Sequence, residues 1–148
     1  MDLKELYRAV IMDNYKNPKN KGLKKTDRYH FVHLNNPSCG DDMNVEVLIE
    51  NGIVKEVHHD GKGCSICCSS ASVMSDILTG KTVLEAKEII NDFYEVVKGN
   101  APEDEERLGE AIAYMGVKDF PARIKCATLG WKAAERAIEE VESENEGK

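Results

Sequence analysis

The pair Asn51-Gly52 most constrains the fold of this chain, because it stands between two runs that alternate apolar and polar residues. These runs cover residues 43–50 and 53–59. Asn-Gly tolerates the positive φ angles of a tight two-residue turn, which predicts an antiparallel hairpin. Residues 28–34 predict a further strand. We therefore expect a small three-stranded antiparallel sheet with helices packed on one face.

Helical periodicity dominates the rest of the chain. Asp2 is placed as the N-cap of an amphipathic helix over residues 2–15, and Thr82 with Glu85 forms a capping box that starts another helix. Pro121 stands in the first turn of the last helix. Further helices are predicted from residue 65 to a stop at Gly80, over 82–98 and over 103–115. The layout predicts a single α+β domain over residues 1–148, with a frayed polar tail at 142–148.

The overall charge limits the classes of function. The chain has 148 residues and 41% of them are apolar, so one domain can bury a core of its own. The 20 basic and 27 acidic residues give a net charge of −7, which argues against a nucleic-acid partner. No apolar run reaches the roughly 18 residues of a membrane span, and the first residues lack a signal-peptide pattern. We expect a cytoplasmic protein without a membrane partner.

Three of the 5 cysteines are predicted to lie where a loop meets a regular element. Cys39 precedes Gly40 and Asp41, Cys64 follows a glycine-containing turn at a helix start, and Cys126 lies in the last helix. The cytosol keeps thiols reduced, so metal ligation or thiol chemistry is expected rather than disulfides. At a helix start, the positive end of the helix dipole would favour the thiolate form of Cys64.

A combination of thiols and a carboxylate points to a metal or iron-sulfur site. Three thiolates and one carboxylate match the four-coordinate requirement of zinc, and thiolates are equally the ligands of iron-sulfur clusters. The long sequence separations between the cysteines do not distinguish a zinc site from an iron-sulfur site. We predict that Cys39, Asp41, Cys64 and Cys126 converge on one metal-sized site.

The remaining cysteines and the histidines are interpreted as structural residues. Cys67 forms a C-x-x-C with Cys64, but the chain lacks the second C-x-x-C of a zinc knuckle and the βαβ context of a redox dithiol. Cys67 and Cys68 are therefore predicted to pack within their helix. The four histidines are expected to be ordinary surface or hydrogen-bonded residues; they are His30, His33, His58 and His59.

The chain resembles the U-type iron-sulfur assembly proteins, the IscU/SufU family with its NifU N-terminal-like domain, over about residues 3–140. The matching motifs occur in the family's order: Asn36-Pro37-Ser38-Cys39-Gly40-Asp41, Gly61-Lys62-Gly63-Cys64-Ser65-Ile66 with Ala71-Ser72, and Cys126 in the last helix. Lys125 stands where the scaffold branch normally has histidine, and the segment between the second and third motif cysteines is long. Both features resemble the SufU branch.

This resemblance implies two related activities. Similarity to the SufU branch implies a zinc ion held by Cys39, Asp41, Cys64 and Cys126, and a sulfurtransferase that accepts persulfide sulfur from a cysteine desulfurase. Similarity to the family at large implies a non-enzymatic scaffold that assembles a [2Fe-2S] cluster on the same residues for apo client or carrier proteins. A purely structural zinc-binding interaction domain is disfavoured, because the chain has enough apolar residues for its own core.

Two residues are candidates for direct roles in sulfur acceptance. Cys39 lies between Pro37 and Gly40 on a predicted exposed loop, so its thiolate can move to meet the sulfur of a partner. Arg123 is one helical turn before Cys126, where it can pair with Asp41 or with a thiolate released from the metal. A simple surface ion pair is the alternative for Arg123.

Overall fold

A hairpin about Asn51 and Gly52 organises the sheet. The computed structural model describes residues 2–146. Strands β2 (Asp41–Glu50) and β3 (Ile53–Lys62) pair antiparallel, and the turn residues adopt φ angles of 54° and 73°. Strand β1 (His30–Asn36) pairs antiparallel with the other edge of β2, giving the order β1-β2-β3. The predicted three-stranded antiparallel sheet is confirmed.

The helices begin where local capping chemistry predicts. Asp2 caps the first helix by accepting a hydrogen bond from the Glu5 backbone N–H at 2.8 Å, and Thr82 and Glu85 form the expected capping box. Pro121 is the first residue of the last helix. The helices are α1 (Leu3–Lys16), α2 (Ser65–Leu78), α3 (Val83–Val97), α4 (Glu105–Leu108), a 3-10 helix (Gly109–Asp119) and α5 (Pro121–Glu146).

The predicted helix over residues 103–115 is wrong in its form. The chain instead makes the short helix α4 followed by the 3-10 helix. Asp104 caps α4 by accepting from the Arg107 N–H at 3.2 Å, and the helix ends at Gly109, whose φ of 49° and ψ of −126° do not continue an α-helix. A glycine with positive φ stops the α-helix here, although the acidic composition alone favours a continuous one.

The last helix extends beyond the predicted start of the tail. Helix α5 continues to Glu146, whereas a frayed segment was expected from residue 142. His30 lies 2.8 Å from a carboxylate oxygen of Glu140, and Lys87 forms an ion pair with Glu142. These contacts tie the end of α5 to β1 and α3. Residues 147–148 of the expected tail lie outside the described residues.

The core forms where α2, α3 and α5 meet the sheet. The rings of Phe93 and Trp131 stack with centroids 4.0 Å apart, and Trp131 donates its indole N–H to Ser70 Oγ at 2.9 Å. Gly130 brings α5 close to α2, since a Cβ there would lie 3.1 Å from the Cβ of Ala71. This packing holds α2 and α5 against each other and against the sheet. In the part of the chain that the structure describes, no helix combines the length and apolarity needed to cross a bilayer.

His59 is a buried titratable residue outside the thiol region. Its side chain is 3% exposed, and Nε2 donates to the carbonyl oxygen of Lys19 at 2.8 Å. Burial lowers the pKa of His59; Lys21 and His58 act in the same direction, while the Lys19 carbonyl and Asp60 oppose it. The folded protein therefore holds His59 neutral under conditions in which the unfolded chain takes up a proton.

We predict that the free energy of unfolding decreases as pH falls below about 6.5, the ordinary pKa of an unfolded-state histidine. Between the folded-state and unfolded-state pKa values the unfolded chain binds more protons, so acid stabilises it. Urea unfolding at a series of pH values measures this slope. His59→Gln should flatten the slope, whereas His58→Gln, the matched neighbour, should retain it. Equal slopes for the wild type and His59→Gln would contradict the assignment.

Candidate metal centre

The turn between β1 and β2 places a thiol and a carboxylate at one end of the sheet. Asn36 ends β1 and pairs in register with Asp41, the first residue of β2. Residues 37–40 form the turn, and Gly40 adopts a φ of 72°, a conformation that favours glycine. Cys39 is half-buried in this turn, and Asp41 is only 1% exposed. The hairpin thus holds Asp41 firmly and carries Cys39 on a short loop.

The first turns of α5 bring a second thiol to the same place. Cys126 is fully buried, and its thiol and that of Cys39 each lie 3.8 Å from the carbonyl oxygen of Ala122. One potential ligand atom from each of Cys39, Asp41 and Cys126 lies within 4.8 Å of the others. Three of the four residues predicted to form the site are therefore gathered into a metal-sized cluster.

Cys64 lies at the edge of this cluster. It is the N-cap of α2, and its backbone N–H donates to Asp41 Oδ1 at 3.1 Å. Its thiol is outside the group of three, but it is one of the neighbours that raise the pKa of Cys126. The helix start therefore contributes a backbone donor to Asp41 and a further thiol beside Cys126.

Without a bound cation, the surroundings of Cys126 disfavour the charged thiolate form of its side chain. Burial is the main reason that the pKa of Cys126 is raised, and hydrogen bonding with Asp41, Cys39 and Cys64 raises it further. A divalent cation reverses this effect, because it stabilises thiolates directly. Thiol sulfurs and one carboxylate are the donor types that zinc and iron-sulfur clusters use. The donor chemistry of this centre fits such a group.

Two residues that support Asp41 were not identified as functional from the sequence. Asn36 is 6% exposed and donates from Nδ2 to Asp41 Oδ2 at 3.3 Å and to Cys126 Sγ at 3.7 Å. A Cβ at Gly63 would lie 2.7 Å from Asp41 Oδ1, so glycine leaves the space that the carboxylate occupies. The only indication in the sequence was that Asn36 and Gly63 lie within the two motifs that contain Cys39 and Cys64.

Arg123 is exposed beside the thiols. Its pKa is raised, first by the neighbouring Cys126 and then by Cys64 and Cys39. Among residues 2–146, Arg123 forms no ion pair with Asp41 within 4.0 Å. The pairing with Asp41 is therefore not formed, and pairing of Arg123 with a thiolate stays a prediction.

The other cysteines pack against the core. Cys67 is fully buried, and burial raises the pKa of its thiol strongly. Cys68 is half-buried, and its thiol lies 3.7 Å from the carbonyl oxygen of Gly63. The histidines all have hydrogen-bonding partners: His30 with Glu140, His33 with Asp42, His58 with Glu56 and His59 with Lys19.

The fold and the site define a class: a small α+β domain with thiols and a carboxylate gathered where a β-hairpin meets the starts of two helices. Comparison with known proteins identifies the family. The model of the NifU-like N-terminal domain matches residues 6–127, and the chain belongs to this family.

Characterised relatives carry two different names. The chain is 42% identical to the zinc-dependent sulfurtransferase SufU of Bacillus subtilis, over 97% of each chain. It is 39% identical to the iron-sulfur cluster assembly scaffold protein IscU of Streptococcus pyogenes, over 92% of this chain and 84% of the relative. The crystal structure of the N-terminal part of a nitrogen-fixing NifU-like protein from Brucella abortus superposes with a TM-score of 0.77 at 27% identity, covering 93% of this chain and 97% of the other.

Cys67→Ala and Cys68→Ser are predicted to leave the metal content of the purified protein unchanged. Both side chains pack in α2, outside the cluster of three potential ligands. Each substitution is expected to cost about 1 kcal/mol of unfolding free energy through altered packing. Elemental analysis of the purified variants tests the first expectation, and thermal unfolding tests the second. Loss of metal from either variant would show that its thiol belongs to the centre.

Gly63→Ala is predicted to weaken zinc binding about tenfold or more, in the range seen when the support of a metal ligand is removed. The added methyl group would occupy the space beside Asp41 Oδ1 and displace the carboxylate. Gly116→Ala is the matched control, because a Cβ there meets no atom within 4 Å. Competition titration with a zinc chelator measures affinity, and circular dichroism checks the fold. Equal affinity of both variants would place Asp41 outside the ligand set.

Proposed function

We propose that this protein acts in iron-sulfur cluster assembly as a zinc-dependent sulfur acceptor. It takes persulfide sulfur from a cysteine desulfurase at a centre made by Cys39, Asp41, Cys64 and Cys126. The observation that carries the proposal is the convergence of Cys39, Asp41 and Cys126 in a chain 42% identical to a zinc-dependent sulfurtransferase. The expected compartment is the cytoplasm, where thiols stay reduced.

Zinc suits this centre because of its donor set. Cys39, Asp41 and Cys126, whose ligand atoms lie within 4.8 Å of one another, would hold the ion, and Cys64 at the N-terminus of α2 would complete the four. When bound, zinc supplies positive charge that keeps the thiols ionised at neutral pH. Asn36 and the Cys64 N–H hold the two carboxylate oxygens of Asp41 in place. The protein thus positions Asp41 rigidly, whereas Cys39, in its short turn, remains able to move.

Cys39 is the proposed acceptor of sulfur. It lies in a turn whose other residues, Pro37, Ser38 and Gly40, are exposed, whereas Cys126 is fully buried in α5. The Cys39 thiolate attacks the outer sulfur of the desulfurase persulfide. A sulfur-sulfur bond forms on Cys39 as the one in the desulfurase breaks, and the desulfurase cysteine leaves as a thiolate. The step needs no added oxidant or reductant.

Arg123 is the proposed partner of the anions that this exchange exposes. Its guanidinium carries a permanent positive charge and lies beside Cys126 on the exposed side of the centre. From there it could stabilise the thiolate or the persulfide anion of Cys39. Its exposure also leaves it accessible to the desulfurase.

Cluster assembly is the second candidate function. The 39% identity to a scaffold protein named IscU favours it, and the same cysteines and Asp41 would hold a [2Fe-2S] cluster as cargo. In that role the partners are again a cysteine desulfurase and, after assembly, apo client or carrier proteins. The two functions differ in the metal that the purified protein contains and in whether sulfur stays on a cysteine.

Sulfur is predicted to reach Cys39 when the purified zinc protein is incubated with a cysteine desulfurase and cysteine. Peptide mass mapping after alkylation of thiols and persulfides locates the added sulfur. Cys39→Ser should abolish acceptance, because the mobile nucleophile is lost, whereas Cys68→Ser, the matched control, should accept at the wild-type level. Arg123→Ala should reduce the rate while leaving the site of labelling unchanged.

Two outcomes would contradict this assignment. Label on Cys126 with Cys39 unmodified would make the helix cysteine the acceptor. A failure to accept sulfur, together with a coloured cluster that forms after anaerobic addition of iron and sulfide, would favour the scaffold function. Metal analysis and the absorption spectrum of anaerobically purified protein distinguish resident zinc from an iron-sulfur cluster.

A further inference from the structure

An apolar groove lies between α1 and the segment formed by α4 and the 3-10 helix. It has a volume of about 600 Å³. Its apolar lining comes from Leu6, Tyr7 and Val10 of α1 and from Ile112 and Ala113 of the 3-10 helix. Leu6 lines the groove and is 48% exposed. The groove therefore leaves apolar surface in contact with solvent.

One wall of this groove carries uncompensated negative charge. Glu105, Glu106 and Glu110 line it. The Glu110 carboxylate is paired with the Lys19 ammonium at 2.8 Å. By contrast, Glu105 and Glu106 are exposed, and within residues 2–146 neither forms an ion pair within 4.0 Å. An apolar floor and an acidic wall thus lie side by side.

We propose that this groove binds a basic amphipathic helix of a partner protein. Apolar side chains at i, i+3, i+4 and i+7 of such a helix would cover the floor, and its lysines or arginines would face Glu105 and Glu106. The groove walls are helices and offer no sheet edge, so a partner cannot bind there by adding a strand. Side-chain burial and charge complementarity must supply the affinity.

The groove is separate from the proposed metal centre. None of Cys39, Asp41, Cys64, Cys126 or Arg123 lines it. A partner held there leaves the thiols free, so the groove would act as a docking site for another protein of the pathway or for a regulator. The inference does not depend on which metal or cluster the centre holds, and its test uses no sulfur chemistry.

The test uses a fluorescein-labelled synthetic peptide of about four helical turns, with leucines at the i, i+3, i+4 and i+7 spacing and lysines elsewhere. Fluorescence anisotropy with the full-length protein measures its Kd against a scrambled peptide of the same composition. We expect weaker binding of the scrambled peptide. Amide chemical-shift changes on peptide addition should centre on Leu6, Val10 and Ile112.

Matched variants separate the groove from the general acidity of the protein. Glu105→Gln with Glu106→Gln should raise Kd about fivefold, as expected for two partly screened charge pairs. Asp27→Asn with Glu50→Gln removes the same charge at exposed positions away from the groove and should leave Kd unchanged. Likewise Leu6→Ser should weaken binding, whereas Leu84→Ser, at a position 69% exposed outside the groove, should not.

Three results would overturn the proposal. The first is equal binding of the helical and scrambled peptides. The second is an equal effect of the two double variants, which would mean attraction by net charge alone. The third is concentration-dependent self-association in sedimentation experiments that Leu6→Ser abolishes, since the groove would then be covered by a second copy of the chain.

Discussion

The rest of the centre depends on the hydrogen bonds that the carboxylate of Asp41 accepts. It is almost completely buried, and a buried carboxylate is costly unless its oxygens are hydrogen-bonded. One oxygen accepts from the Cys64 backbone at the start of α2, and the other accepts from Asn36 at the end of β1. Because Asn36 also reaches Cys126, three parts of the chain meet through one acidic side chain.

The hydrophobic core explains why the centre is available for chemistry. Phe93, Trp131 and the other buried apolar residues of α2, α3 and α5 form most of a core to which Cys67 and Cys126 also belong. Such a core is a source of stability that a classical zinc finger, which is unfolded without its metal, lacks. Ligand exchange or sulfur acceptance at the cysteines, as proposed above, would therefore leave most of the packing that stabilises the fold in place.

Features set by local chemistry could be predicted from the sequence. The Asn51-Gly52 turn, the Thr82-Glu85 capping box and the Pro121 helix start each depend on neighbouring residues, and each is present in the structure. The prediction of one helix over residues 103–115 was wrong, because Gly109 adopts a backbone conformation that the amino-acid composition does not indicate.

Parts of the centre depend on distant contacts and could be predicted only partly. The cysteine motifs indicated the thiols, and Cys39, Asp41 and Cys126 do meet, but Cys64 stands at the edge of their cluster. The role of Asn36 rests on a contact with Cys126 across the fold. No local pattern indicates such a contact, and the same holds for the groove, which exists only because α1 packs against the 3-10 helix.

The carbonyl oxygen of Ala122 accepts hydrogen bonds from the thiols of both Cys39 and Cys126. Each thiol can donate only while it carries its proton. A cation held by both sulfurs as thiolates would displace both protons, and Ala122 would then lose both hydrogen-bond donors. Protons and a metal ion therefore compete for the same two sulfurs, so a lower pH would reduce the occupancy of the centre.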